Sequence, residues 1–270
     1  SWSVQPYMGS QSRSRRSSRS RSPPPPALPR DPSDPASKSS NSKLKLLHIT
    51  KNAGTSLEML GKELGLKWGR FWKELESYRE KLNPPHTGRM LCEWYHVPPC
   101  FFVDDPYKGY VPFAVVRCPY ERAISEFRCR WKGFNAPVGK NESKASKRKN
   151  ATSADLNHWL QKKLKTVSSP PYTNGHFIPQ HLYIFGEQGD HGHRYVAEEN
   201  VLRFNNLSKD LAEFGVRHGI DIQNLPRQNE SEMPRFSVKD LDETTRSMIE
   251  QIFAKDFDLL GFKRLEATGR

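Results

Sequence analysis

Between Leu44 and Glu58 the chain reads Leu-Lys-Leu-Leu-His-Ile-Thr-Lys-Asn-Ala-Gly-Thr-Ser-Leu-Glu, and no other stretch constrains the fold as strongly. An apolar run of buried-strand type ends at Lys51, passes a small-residue turn and enters a helix through Thr55 and Ser56. Such a junction aims several backbone N–H groups and the positive end of a helix at one spot, which suits an anion and above all a phosphate. The nucleoside-triphosphate loop is excluded: the order G-x-x-x-x-G-K-[ST] is absent, and here the Lys precedes the Gly. Taken alone, the same turn would also open an ordinary α/β helix.

A second junction of the same kind follows. Val111 to Arg117 reads as a short buried strand running directly into a helix with Pro119 in its first turn. Arg117, Pro119, Arg122 and Ser125 stand in the order R-x-P-x-x-R-x-x-S. An Arg at a strand's C-terminal end offers a planar fork to a phosphate, and a Ser hydroxyl on the facing helix adds a neutral donor. The alternative is an Arg paired with Glu121 or Glu126 beside a surface Ser.

The two junctions, in this order, resemble the 5′-phosphosulfate and 3′-phosphate motifs of sulfotransferases that use 3′-phosphoadenosine 5′-phosphosulfate. Farther on, Asn174 to Tyr183 is similar to the "Pro-Gln" segment of carbohydrate sulfotransferases. Val201 to Leu207 is similar to their strand and "E-N-L" turn, with Asn205 in place of the Glu, and Phe253 to Phe262 to their terminal helix and "D-F-x-x-x-G-[FY]" tail. The resemblance spans roughly residues 43 to 265 and points to the Golgi membrane-type, heparan/chondroitin sulfotransferase-like enzymes. It implies an α/β, P-loop-like three-layer fold and a metal-independent, in-line transfer to a hydroxyl of a glycan. It assigns Lys51, Asn52, Ala53, Gly54, Thr55 and Ser56 to the 5′-phosphosulfate, and Arg117 and Ser125 to the 3′-phosphate, with Arg122 as support. Ala53 stands where many members have Gly, and Cys118 where Asp commonly follows the first Arg. Ala costs little there unless the backbone needs a positive φ.

The acceptor hydroxyl needs a base. His96, in Glu93-Trp94-Tyr95-His96-Val97-Pro98-Pro99, can work near neutral pH. Glu93 is its rival, His86 and His176 are more distant candidates, and a purely structural histidine is the alternative to all of them. Trp68 to Tyr78 and Trp94–Tyr95 would suit sugar stacking or a core.

Composition sets the limits around this reading. Residues 1 to 42 are rich in Ser, Arg and Pro and poor in large aliphatics, so they form a tail or stalk that cannot offset its own ordering entropy. The first 45 residues hold nine Lys+Arg and two Asp, +7 of the net +13, and leave residues 43–270, the catalytic unit, mildly basic. An RNA-binding role through the Arg-Ser tail is the competing reading. Nucleic acid is disfavoured because no recognition motif accompanies the tail. A nucleotide or metabolite kinase on a related fold is the other, disfavoured by the missing Gly-Lys-[ST]. No apolar run approaches the roughly 18 residues that span a membrane, so an anchor would have to lie upstream. Four Asn-x-[ST] sequons (Asn141, Asn150, Asn206, Asn229) suit a secretory, Golgi route. Cys92, Cys100, Cys118 and Cys129 lack zinc-type spacing and are either free thiols or paired, for instance Cys92 with Cys100.

Alternating patterns predict strands at Leu44–Ile49, Met90–Tyr95, Pro112–Arg117, Leu182–Phe185 and Val201–Phe204. Helices are expected over Gly54–Leu64, Tyr120–Trp131, Ser153–Leu164, Ser208–His218 and Asp240–Asp256, giving a mainly parallel sheet flanked by helices. Lys132 to Asn150, six Lys/Arg against one Glu, reads as a basic insert, either a solvated loop or a guide for an acidic glycan.

Overall fold

A computed structural model describes residues 43–78, 80–84, 93–135, 147–166, 175–187, 194–222 and 233–265. The Arg-Ser tail, His86, Cys92, the centre of the basic insert (136–146) and the sequons at Asn141 and Asn229 lie outside the described residues. Three short strands carry the fold: β1 (Leu44–Leu47), β2 (Val111–Val116) and β3 (Val201–Arg203). They pair in parallel in the order β1-β2-β3, with Leu44 opposite Val111 and Ala114 opposite Val201. Parallel neighbours need crossovers, and the helices supply them. These are α1 (Gly54–Glu63) after β1, and α2 (Pro119–Phe127) and α3 (Ser153–Leu164) after β2. The single-turn α4 (His181–Ile184) also precedes β3, and α5 (Leu207–His218), α6 (Glu243–Ile252) and α7 (Ala254–Leu259) follow it.

Both sheet faces are covered, as the near-continuous apolar strands require. Leu44, Leu46, Phe113 and Val115 pack on α1 and α5 through Leu57, Leu60, Leu211 and Phe214. Leu47, Ala114 and Val116 face Trp72, Trp94, Phe101 and the α4 residues. Lys45 falls on that same buried side. Its ammonium lies 4.9 Å over Trp72 and 5.0 Å over Tyr110, and burial pushes its pKa down. A further cluster joins α2, α3, α6 and α7 around Phe127, Leu160 and Phe257. The α/β, three-layer expectation is met. Trp68, Trp72 and Trp94 are core residues, so these three indoles offer no sugar platform.

Three expected elements differ. Trp94–His96 is a 3₁₀ turn, not a strand end, and a second such turn follows at Pro99–Phe101. Pro98 and Pro99 have no N–H for a ladder, which rules out a continued strand. Met90 to Cys92 lie outside the described residues. The apolar run Leu182–Phe185 belongs to a helical turn because Asp256 caps it. Its buried carboxylate accepts the N–H groups of Gln180 (2.9 Å) and His181 (2.8 Å) and also binds His181 Nδ1 (2.8 Å). The long terminal helix breaks at Phe253 into α6 and α7. By contrast, α3 starts where expected, on a capping box between Thr152 and Asp155. The two ends of the basic insert are tied down: the Arg148 guanidinium donates to the carbonyls of Arg128, Cys129 and Phe134. No helix among the described residues is long and apolar enough to cross a membrane.

Candidate active site

The ends of β1 and β2 bring the two junctions side by side. After β1 the chain turns through Lys51 (φ 67°) and Ala53 (φ 63°), both left-handed, before α1 begins at Gly54. The first amide engaged by the helix is that of Leu57, to the Ala53 carbonyl (3.1 Å). The helix start has no side-chain cap and no acid in its first turn. An uncapped positive end of this kind is suited to an anion. Gly54 is dictated by the neighbouring ring: a Cβ there would lie 2.1 Å from His48.

Ala53 is where the departure from the family's Gly has a consequence. A left-handed Ala costs about 1 kcal/mol or more. Ala53→Gly is therefore expected to stabilise the fold by about 0.5–1 kcal/mol after the unfolded chain's extra freedom is counted. A thermal midpoint that fails to rise would refute this.

Arg117 closes the other side. Its Nη1 donates to the Lys51 carbonyl (3.3 Å), its Nε lies 3.4 Å from Glu121, and the guanidinium stacks 3.9 Å over Phe204. Burial lowers its pKa, and Glu121 partly opposes the shift. A cleft of about 200 Å³ opens here between Arg117, Cys118, Arg203, Phe204, Asn206 and Phe262. The two junctions share an internal staple, Gln180 of the Pro-Gln segment, which is fully buried. Its Oε1 accepts from Asn52 Nδ2 (2.7 Å) and the Arg117 N–H (2.9 Å), while its Nε2 donates to the Arg117 carbonyl (2.8 Å). Asn52 Nδ2 also donates to the Val115 carbonyl (2.8 Å).

Arg122 is a clasp. Its buried guanidinium donates to the Thr50 carbonyl (3.1 Å), Thr50 Oγ1 (3.1 Å) and the His176 carbonyl (3.1 Å). It fixes the Lys51 turn to the turn Gly175–Phe177. Ser125 sits half-buried in the last part of α2, and Thr55 and Ser56 lie in the first turn of α1.

The candidate bases separate clearly. Glu93 is exposed, and its carbonyl accepts the His96 N–H (2.8 Å). His96 is buried, stacked edge-on against His48 (centroids 4.5 Å) and His176 (5.7 Å), and its buried Nδ1 has no hydrogen-bond partner among the described residues. Burial, then the charges of His48, His176, Arg122 and Lys51, push its pKa well below the usual histidine value. The sequence reading left His48, Glu58, Glu126 and Cys129 out of the site. Glu126 meets His176 Nδ1 at 2.9 and 3.0 Å, and His176 bonds Cys129. Burial draws the His176 pKa down, but these two partners outweigh it and raise it to about 9. Glu126, Cys129 and His176 hold metal-type donor atoms within 4.8 Å of one another. Cys100, Cys118 and Cys129 are free thiols.

A family model described as "Sulfotransferase family" matches residues 39–263 of the chain. No curated protein and no solved structure matches it.

Proposed function

This chain belongs to the sulfotransferase family, and on that premise we propose that it moves a sulfuryl group from 3′-phosphoadenosine 5′-phosphosulfate to a hydroxyl of a carbohydrate acceptor. The supporting observation is the meeting of the two junctions, with Arg117 Nη1 3.3 Å from the Lys51 carbonyl. One donor carrying phosphate at both ends could then be gripped from two sides.

In this reading the Gly54, Thr55 and Ser56 amides, with the two hydroxyls, hold the 5′-phosphosulfate. Asn52 and Ala53 shape the turn. Lys51 neutralises the oxygen between sulfur and phosphorus as that S–O bond breaks. Arg117 and Ser125 hold the 3′-phosphate. His96 takes the acceptor's proton as the new O–S bond forms on the opposite face of sulfur. Each of these roles falls to a protein group, and the charge of the leaving bisphosphate needs no metal in principle. A glycan acceptor and a Golgi-lumenal setting complete the proposal. They are supported by the motif resemblance and by exposed sequon residues at Asn150 and Asn206.

Calorimetry with adenosine 3′,5′-bisphosphate tests the donor site. Arg117→Ala is expected to weaken binding about 10–100-fold, the value of a charge-assisted contact. Binding of adenosine 5′-monophosphate should stay within about twofold of wild type, since it lacks the 3′-phosphate. Equal losses for both ligands, or no bisphosphate binding by wild type, would reject the assignment.

A further inference from the structure

Glu58 and His48 form a buried pair that the proposed chemistry leaves without a role. Glu58, in the second turn of α1, is 1% exposed, and its Oε1 lies 2.7 Å from His48 Nδ1. The Arg70 N–H donates to the same oxygen (2.9 Å), and Arg70 Nε lies 3.2 Å from Oε2. A carboxylate can only accept, so His48 Nδ1 carries the proton, which fixes the ring's orientation. Two glycines make room for the pair. A Cβ on Gly54 would strike the His48 ring at 2.1 Å, and one on Gly69 (φ +53°) would meet Glu58 Oε1 at 2.2 Å. Packing alone would be served at lower cost by two apolar side chains, because a buried carboxylate must be desolvated. Two further rings flank His48: His96, edge-on at 4.5 Å and 82°, and Tyr95, tilted at 5.6 Å.

We infer that Glu58 and His48 are positioning residues that seat His96 against the Gly54 turn and so fix the base relative to the transferring group; this rests on the reading of His96 as base. A wedge between the base and the phosphate-type turn makes their separation a property of packing, not of loop motion. The groups facing His96 come from every side. His48 follows β1, Lys51 lies in the turn, Arg122 is on α2, and His176 is in the Gly175–Phe177 turn. Tyr95 lies alongside, and the Tyr183 hydroxyl of α4 donates to the His96 carbonyl.

The test uses the full chain with Glu58→Gln and His48→Asn. Total donor turnover is read as release of adenosine 3′,5′-bisphosphate, with desulfated heparin and chondroitin as acceptors, from pH 5 to 9. Both variants are expected to lose about 10–100-fold in kcat, the scale of a base displaced by about 1 Å. Their bisphosphate Kd should stay within twofold of wild type. In both variants the loss should fall on kcat per folded molecule, with the folded fraction, seen by circular dichroism, unchanged. A purely structural role would lower the folded fraction and leave kcat per folded molecule at the wild-type value. A kcat per folded molecule within threefold of wild type in both variants overturns the inference while the donor reading stands. Failure of wild type to bind the bisphosphate removes the donor reading and this inference together.

Discussion

Lys51→Ala is expected to lower total donor turnover about 10²–10³-fold, the scale found when one preorganised donor to a developing anion is removed. The side chain leaves the backbone at a left-handed residue directly before the Gly54 turn, and its carbonyl is held by Arg117. The ammonium's charge reaches both His96 and Cys129, lowering the pKa of each. A cation in that place acts on charge that grows at the bridging oxygen during transfer, so its loss should appear mainly in kcat. Ground-state affinity for adenosine 3′,5′-bisphosphate should fall less, by about tenfold, because Arg117 and the α1 amides remain. Since Ala also suffers at positive φ, Lys51→Gly is the companion variant, relieving the strain and losing the same charge. Turnover within threefold of wild type in both would remove Lys51 from the reaction.

Sequence carried the site's local parts and not its long-range ones. The Lys51 turn and the Arg117 junction were legible because each is a strand-to-helix boundary encoded within about a dozen residues. The same locality allowed α3 to be placed at Ser153–Leu164, with Thr152 or Ser153 as the candidate cap, and Thr152 is the one that caps it. What failed was set from afar. Leu182–Phe185 is four apolar residues that suit a strand or a helical turn equally. Asp256, some 75 residues on, settles the matter by accepting the Gln180 and His181 amides. The Pro-Gln segment stood in the sequence only as a resemblance, and its structural part, Gln180 joining Asn52 to Arg117, is a contact made across more than 60 residues. The resemblance assigned Gly54 to the 5′-phosphosulfate as a backbone donor, and the sequence did not show that the space left by its missing Cβ is taken by His48. The pairing of His48 with Glu58 had a signal: a His at a strand's end and a Glu ten residues later on the following helix. Nothing local gives that spacing priority over other polar pairs.

His96→Ala is expected to reduce turnover about 10²–10⁴-fold, as for loss of a general base, while bisphosphate binding holds within twofold. The case over Glu93 is one of placement. His96 is buried among the Lys51, His48 and His176 side chains, whereas Glu93 is exposed. Glu93→Gln should accordingly stay within threefold of wild type. An unpartnered buried ring nitrogen is a standing cost of about 1–3 kcal/mol, tolerated where chemistry requires it. The pH profile supplies an independent check. A base works only when unprotonated, and burial together with four cationic neighbours favours the neutral ring. Activity should thus persist as pH falls through about 6.5, where an ordinary histidine would be half protonated, and be lost only at lower pH. A limb at or above that value, or a His96→Ala loss below tenfold with donor binding intact, would transfer the base's role to another group. His176 would then be a poor substitute, since a ring held protonated to about 9 has no lone pair to offer at neutral pH. Its charge is instead matched by the Glu126 carboxylate at 2.9 Å, which commits that ring to an ion pair 5.7 Å from the His96 ring.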